Sequence, residues 1–321
     1  MKALIKKMAE SVQHLKKRLK SVANINKITK AMELVAATKM RRAQEIALAS
    51  RPYAFTALDL LAQITVNGKE SSEFLKQRPV KKVLFVIVSS DKGLAGAFNS
   101  SVFRKFEQHM HRDKEKYKNE EKLYMAIGQK AVHYATRKDL PLFRHFLNDA
   151  DHVELSHVSP IADAIIQGYL KRDWDRVVMA SMHFRSALKQ EPHVRMILPV
   201  DFSHIKEIIE ELVPRTGKFA ELIKEQNINF SATPKSAPYL IEPSPAKVLD
   251  NLAKHLIFMQ IYHLILEANA AEHSARRLAM KTASDNASDL GAALNLQYNK
   301  ARQSGITNQI IEISAGTEAL S

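Results

Sequence analysis

The residues of this chain best suited to chemistry sit in one glycine-punctuated turn. Ser89-Ser90-Asp91-Lys92-Gly93-Leu94-Ala95-Gly96-Ala97-Phe98-Asn99 follows an apolar run and opens a helical stretch. An α/β protein holds a phosphate at such a place, on free backbone N–H groups. This turn has neither the glycine spacing of a dinucleotide fingerprint nor the Gly-Lys-Ser/Thr ending of a P-loop. The alternative is a structural turn, with glycines for backbone geometry and Asp91 or Asn99 satisfying the helix start. The 13 histidines form no recognisable metal set. His109 and His111 flank a single methionine, and His255, His263 and His273 share one helical stretch without the i, i+4 spacing of a ligand pair. There is no His-Glu-x-x-His, no dense carboxylate cluster and no nucleophile elbow. With no cysteine in the sequence, disulfides, thiolate metal sites and a cysteine nucleophile are excluded together.

Two polar stretches remain, Glu272 to Ala287 (Glu-His-Ser-Ala-Arg-Arg-Leu-Ala-Met-Lys-Thr-Ala-Ser-Asp-Asn-Ala) and Tyr298 to Thr307 (Tyr-Asn-Lys-Ala-Arg-Gln-Ser-Gly-Ile-Thr). Both are unusual for a self-contained coiled coil. Each is either the solvated back of a helix or a surface for specific polar contacts with another protein.

The elements that must carry these residues are of two kinds. Residues 1–51 and 246–290 contain neither Pro nor Gly. At about 1.5 Å per residue each predicts a rod of roughly 70–80 Å. Apolar residues recur at Ile5, Met8, Val12, Leu15, Leu19, Val22, Ile25, Ile28, Met32 and Val35. This is a 3–4 seam with local overwinding between Val22 and Ile28, the pattern of a left-handed coiled coil. The second stripe reads Leu249, Leu252, Leu256, Met259, Leu266, Ala270, Met280, Ala287, Leu290 and Leu294. The matched lengths favour pairing within one chain, over pairing between chains or separate packing on a central domain. Between the rods strands alternate with helices. Strands are expected at Lys82 to Ser89, Leu123 to Ile127, Arg176 to Met182 and His193 to Leu198, the last two joined by a hairpin or wide turn. Helices are expected at Phe98 to Met110, Gln129 to Arg137 and from Ser159-Pro160 to Leu170, with an apolar segment at Leu140 to Phe146. Such alternation implies a doubly wound sheet. Ile205 to Val213 and Phe219 to Ile223 read as short helices, and Ser231 to Pro245 as a Ser/Pro-rich linker.

The chain has 321 residues and a net charge of +14. Residues 1–50 carry 12 Lys and Arg against 3 Asp and Glu, whereas residues 246–321 carry 7 of each sign. A basic rod suggests an anionic partner, nucleic acid among them; a solvated helix face explains it equally well. The lack of base-reading or stacking aromatics on that rod, where Tyr53 is the first, weighs against nucleic acid. No apolar run is long enough for a membrane helix, and the N-terminus lacks the pattern of a secretory signal.

Four blocks of residues carry a family resemblance. The first is Ile28-Thr29-Lys30-Ala31-Met32-Glu33-Leu34-Val35-Ala36-Ala37-Thr38-Lys39-Met40-Arg41-Arg42-Ala43-Gln44 with Ser50-Arg51-Pro52-Tyr53. The others are the Ser90 to Asn99 turn, the two polar stretches above, and Ile306 to Ile313, with Tyr239 to Pro245 leading into the last helix. The chain closely resembles the gamma subunit of F-type ATP synthases over nearly its whole length. The resemblance implies an α/β chain. Its N- and C-terminal helices form an antiparallel coiled coil (1–65 and 246–321) above a central Rossmann-like domain (80–200), with residues 201–245 as helical insert and linker. It implies a non-catalytic, cofactor-free rotor shaft, coupling ion flow to ATP synthesis or hydrolysis. The implied partners are the alpha and beta subunits, the epsilon subunit and the membrane c-ring, at the cytoplasmic face of the bacterial inner membrane without insertion into it. By position, Lys30, Met32, Lys39, Arg276, Arg302, Gln303 and Thr307 match the family's contacts with the catalytic ring. Three departures stand out: Arg277 replaces a commonly apolar residue, Ala95 a frequent cysteine, and residues 203–238 are longer than in typical bacterial members.

Overall fold

The computed structural model describes residues 2–49, 72–148, 154–200, 242 and 244–318. The helices expected at 205–213 and 219–223, most of the linker, and residues 50–65 lie outside them. The chain forms two compact units, one of residues 1–36 with 276–321 and the other of residues 37–275.

The larger unit is built on a five-stranded sheet of order β3-β2-β1-β4-β5. Its strands are β1 (Lys82–Val88), β2 (Glu121–Ile127), β3 (Leu142–Phe146), β4 (Arg176–Phe184) and β5 (Gln190–Leu198). β1 lies parallel to β2 and β4, β2 is parallel to β3, and β5 returns antiparallel to β4 as a hairpin. The continuous apolar run of β1 is explained by burial on both faces. Leu84, Val86 and Val88 join one core with α4 (Leu155–Leu170) and the first part of α5 (Pro245–Glu318). Val83, Phe85 and Ile87 join a second core with α2 (Phe98–Arg112) and α3 (Gln129–Arg137). Each fully buried side chain of this size contributes about 1.5–3 kcal/mol, so β1 alone anchors both layers. The doubly wound expectation therefore holds, and the apolar segment at 140–146 is the edge strand β3.

Two helix starts differ from the sequence reading in an instructive way. A Ser cap followed by Pro at the first helical position is the expected start at Ser159-Pro160. There the helix begins four residues earlier, at Leu155, and Pro160 lies inside it. Pro160 leaves the Ser156 carbonyl without its intrahelical donor, and Ser159 Oγ donates to Asp163 instead (3.1 Å). The motif operates at Ser244-Pro245, where Pro245 opens α5 and Ser244 accepts from Val248 N (3.1 Å) and, through Oγ, from Lys247 N (3.4 Å).

α5 runs for 74 residues, through Gly291 and Gly305, against 48 for α1 (Lys2–Ala49), so the two rods are not matched in length. In the larger unit α5 is enclosed: from Leu256 to Glu272 every residue except Phe258 is buried. Ala43 near the end of α1 joins the same core, with Ile46 packed against it.

In the smaller unit α1 and α5 pair antiparallel. Ser284 Oγ donates to Asn26 Oδ1 (2.7 Å), and a Cβ on Gly291 would lie 3.8 Å from Val22 Cγ1, so positions rise on one helix as they fall on the other. The seam departs from the expected stripe. Ile25, Ile28 and Val35 are 51–59% exposed, whereas Asn26 is half-buried and Thr29 and Ala36 are buried. The covered positions are Val12, Leu15, Leu19, Val22, Asn26, Thr29, Glu33 and Ala36, an unbroken 3–4 alternation with no overwinding. On α5 the covered positions are Met280, Ser284, Ala287, Gly291, Leu294, Tyr298, Ala301, Gly305 and Asn308, again in strict 4–3 steps, with Leu290 turned outward. The seam follows the heptad register through small and polar residues, because small side chains allow close approach and the Asn26–Ser284 bond satisfies the polar atoms.

Candidate functional site

The Ser89–Asn99 turn stands at the carboxyl end of β1, where a doubly wound sheet places its ligands. Here the chain occupies that position itself. Asp91 Oδ1 accepts from Gln129 N (2.7 Å) and Oδ2 from Asn148 N (2.7 Å). Ser90 O accepts from Lys130 N (3.0 Å) and Ser89 Oγ from Ala131 N (2.7 Å). The first three N–H groups of α3 are thus engaged by the turn, and a carboxylate stands where a phosphate would interact with the helix dipole. Asp91 satisfies a helix start, as the structural reading required, but it is that of α3 rather than of the adjacent α2. Asn99 instead closes the turn on Ser90, accepting from its backbone N (3.0 Å) and donating to its Oγ (2.8 Å). Gly128, at φ +92°, is required by the close approach: a Cβ there would lie 2.2 Å from the Ser89 carbonyl oxygen. Ala95 is buried in the second core and is a packing residue.

The histidines are dispersed. His109 Nε2 lies 2.9 Å from the Tyr117 hydroxyl, and burial holds its ring below the usual imidazole range. Burial also pushes the Tyr117 phenol up to about 12. Among the described residues no group of three or more His, Cys, Asp or Glu is placed to hold a metal ion.

The seven residues matched to ring contacts are distributed over both units. Lys30, exposed, pairs with Glu33 (3.0 Å), and Met32 is half-buried beside the seam. Arg276 is half-buried, as is the neighbouring Arg277, which flanks the seam residue Met280. Arg302, Gln303 and Thr307 are exposed, and Thr307 Oγ1 donates to the Gln303 carbonyl (3.0 Å). At 100° per residue, Gln303 and Thr307 lie about 200° and 240° from the seam residue Ala301, on the outer face of the pair. Lys39 belongs to the larger unit and is half-buried there.

Sequence reasoning missed a set of buried polar links to α5. His183 on β4 meets Glu267 at 2.9 Å, Asn148 donates to Asn269 (2.7 Å), and Ser274 donates to the Ala187 carbonyl (2.7 Å). The one available signal was five polar residues, Glu267, Asn269, Glu272, His273 and Ser274, within an otherwise apolar and Ala-rich helical run from Leu264 to Ala275. No helix among the described residues is long and apolar enough to cross a membrane.

Comparison with known proteins places this geometry. A family profile described as ATP synthase matches residues 11–320. The ATP synthase gamma chain of Gloeothece citriformis is 34% identical over 320 residues, covering 97% of this chain and 99% of that protein. The ATP synthase gamma chain of Roseiflexus castenholzii is 36% identical over 313 residues, covering 97% and 98%. A chain of the Euglena gracilis mitochondrial ATP synthase, solved as OSCP/F1/c-ring in rotational state 3, shares the fold. Its TM-score is 0.59 over 97% of this chain and 95% of that one, at 16% identity. A chain of the Tetrahymena thermophila mitochondrial ATP synthase central stalk and c-ring aligns with TM-score 0.54, covering 80% and 99%, at 21% identity. Matched over 97% of its length by relatives 34–36% identical to it, the chain belongs to the ATP synthase gamma chain family, the non-catalytic central stalk of the rotor.

Proposed function

We propose that the α1–α5 pair transmits torque to the alpha and beta subunits of the catalytic ring, through Lys30, Met32, Lys39, Arg276, Arg302, Gln303 and Thr307. The central domain engages the epsilon subunit and the c-ring, at the cytoplasmic face of a bacterial inner membrane. The observation that carries this reading is the antiparallel seam, which turns Gln303 and Thr307 outward on adjacent turns of one rod. Charge-assisted and neutral hydrogen bonds suit a contact that must break and re-form at each step while holding its orientation. The test is the assembled complex carrying Arg302→Ala, Gln303→Ala and Thr307→Ala together. ATP hydrolysis and synthesis should both slow while the gamma chain stays bound. Unchanged rates would remove these residues from the torque path. Copurification of epsilon with the full chain tests the lower contact.

A further inference from the structure

We propose that three polar links on two opposite faces of α5 form a clutch. They fix the rotational setting of that helix on the α/β sheet, and so act as positioning residues for coupling proton flow to ATP chemistry. The inference rests on the chain's place as the central stalk.

Between Leu256 and Glu272, α5 is enclosed on all sides, mostly by apolar groups. Apolar burial is non-directional and scales with the area removed from water. Polar links add a demand for one angular setting. On one face, Glu267 Oε2 meets His183 Nδ1 at 2.9 Å with both side chains buried. Seven residues on, Ser274 Oγ donates to the Ala187 carbonyl (2.7 Å) and accepts from Gln190 Nε2 (3.1 Å), at the β4–β5 hairpin. On the other face, Asn269 Oδ1 accepts from Asn148 Nδ2 (2.7 Å). Asn148 is itself fixed by the Ser89 carbonyl (3.1 Å) and by the Asp91 carboxylate, which accepts from its backbone N. At 100° per residue, Glu267 and Ser274 lie within about 20° of each other, and Asn269 lies about 160° away. The hairpin therefore grips one side of the helix, and the carboxyl ends of β1 and β3 grip the other. Turning α5 about its own axis breaks both grips at once and strands Glu267 without its partner. Buried polar pairs of this kind add little stability over apolar groups of similar volume; what they supply here is direction.

That difference makes the experiment decisive. His183→Phe with Glu267→Met replaces the pair by apolar groups and keeps a ring against His193, whose centroid lies 5.3 Å away. Asn269→Leu removes the opposite grip. The triple variant and Asn269→Leu alone are compared in membrane vesicles carrying the complete ATP synthase. The readouts are gamma chain content, ATP hydrolysis and ATP-driven proton uptake. The expected result is retained hydrolysis with a loss of proton uptake per ATP hydrolysed, partial for Asn269→Leu and larger for the triple. Unchanged uptake per ATP in Asn269→Leu overturns the proposal, whether or not the triple variant assembles. A parallel fall of hydrolysis and uptake in either variant also overturns it, because that is the signature of a merely structural role.

Discussion

Replacing Gly291 with alanine should stabilise the chain, which tests the helix pairing at the seam. Gly291 is half-buried within α5, and a Cβ there would meet only Val22 Cγ1, at 3.8 Å, an ordinary van der Waals distance. The glycine is therefore not needed for close approach, yet it carries the full conformational cost of glycine in a helix interior. Alanine recovers about 0.8–1 kcal/mol of helix propensity and a few tenths more from the methyl against Val22. Gly305, where nothing lies within 4 Å of the added carbon, recovers the propensity alone. The two sites are 14 residues apart and share no partner, so the double variant should gain about 2 kcal/mol. Urea unfolding of the purified chain, followed by helical circular dichroism, measures this. Gly168→Ala is the internal control of opposite sign. Its Cβ would fall 2.1 Å from Trp174 Cζ2, in a buried ring anchored by its Nε1 to the Ile165 carbonyl, and overpacking there costs about 1–3 kcal/mol or more. If Gly291→Ala destabilises while Gly305→Ala stabilises, the two helices approach more closely at Val22 than this geometry has them, and the seam register is wrong.

The same register predicts that cysteines at Met32 and Met280 form an intrachain disulfide on mild oxidation. Asn26 faces Ser284 and Val22 lies opposite Gly291, which puts position 32 opposite 278–281; only interchain product would refute the antiparallel pair. Asp91→Ala should destabilise the central domain by about 2–4 kcal/mol, since two backbone N–H groups lose a charged acceptor, and titration with ATP or NAD should show no binding to the wild-type chain. Saturable nucleotide binding would return the turn to the phosphate reading. Glu120→Gln should stabilise the chain at neutral pH. Burial raises the Glu120 carboxyl above the ordinary range despite Arg176 at 3.4 Å, so its charged form costs stability above the folded-state pKa. Below the unfolded-state pKa both states are protonated and the advantage should vanish. A pH series of urea midpoints checks this, and an advantage that grows on acidification would reverse the sign of the argument.

The central sheet was legible because its signals are local. β1 is a continuous apolar run rich in Val and Ile, and α3 follows directly on Gly128, so a reading of neighbours suffices. The helix pairing was legible as a fact but not in its register. Ile25, Ile28 and Val35 carry the strongest apolar signal on α1, and periodicity analysis counts apolar side chains. The structure covers Asn26, Thr29 and Ala36 instead, and the bond from the partner helix's Ser284 to Asn26 satisfies a polar group inside the seam. Such complementarity lies in residues more than 250 positions apart, beyond any window of one sequence. The grips on α5 were hidden for the same reason. Nothing near Glu267 announces His183, nor does anything near Asn269 announce Asn148. The Ser-Pro start was misplaced because the motif occurs twice, and α4 starts instead at Leu155, where Glu154 and His157 cap each other across the first turn.

The residues that misled the periodicity reading fit the proposed function best. A shaft that only had to hold itself together would turn Ile25, Ile28 and Val35 into its own seam. This chain leaves them exposed, along with Leu278, Leu290, Ile306, Ile310, Ile311 and Ile313 on α5, and closes the seam with small and polar groups. Exposed apolar residues in such number on a paired rod are costly in a free chain and favourable once another surface covers them. On the proposed reading that surface is the catalytic ring. On that same reading the outward apolar residues would give the ring a surface to slide against, and Gln303 and Thr307 would supply the few directional contacts. Aspartate at Ile28 separates this from a self-stabilising rod. It should leave the stability of the free chain unchanged, since Ile28 is 59% exposed, and impair the assembled enzyme.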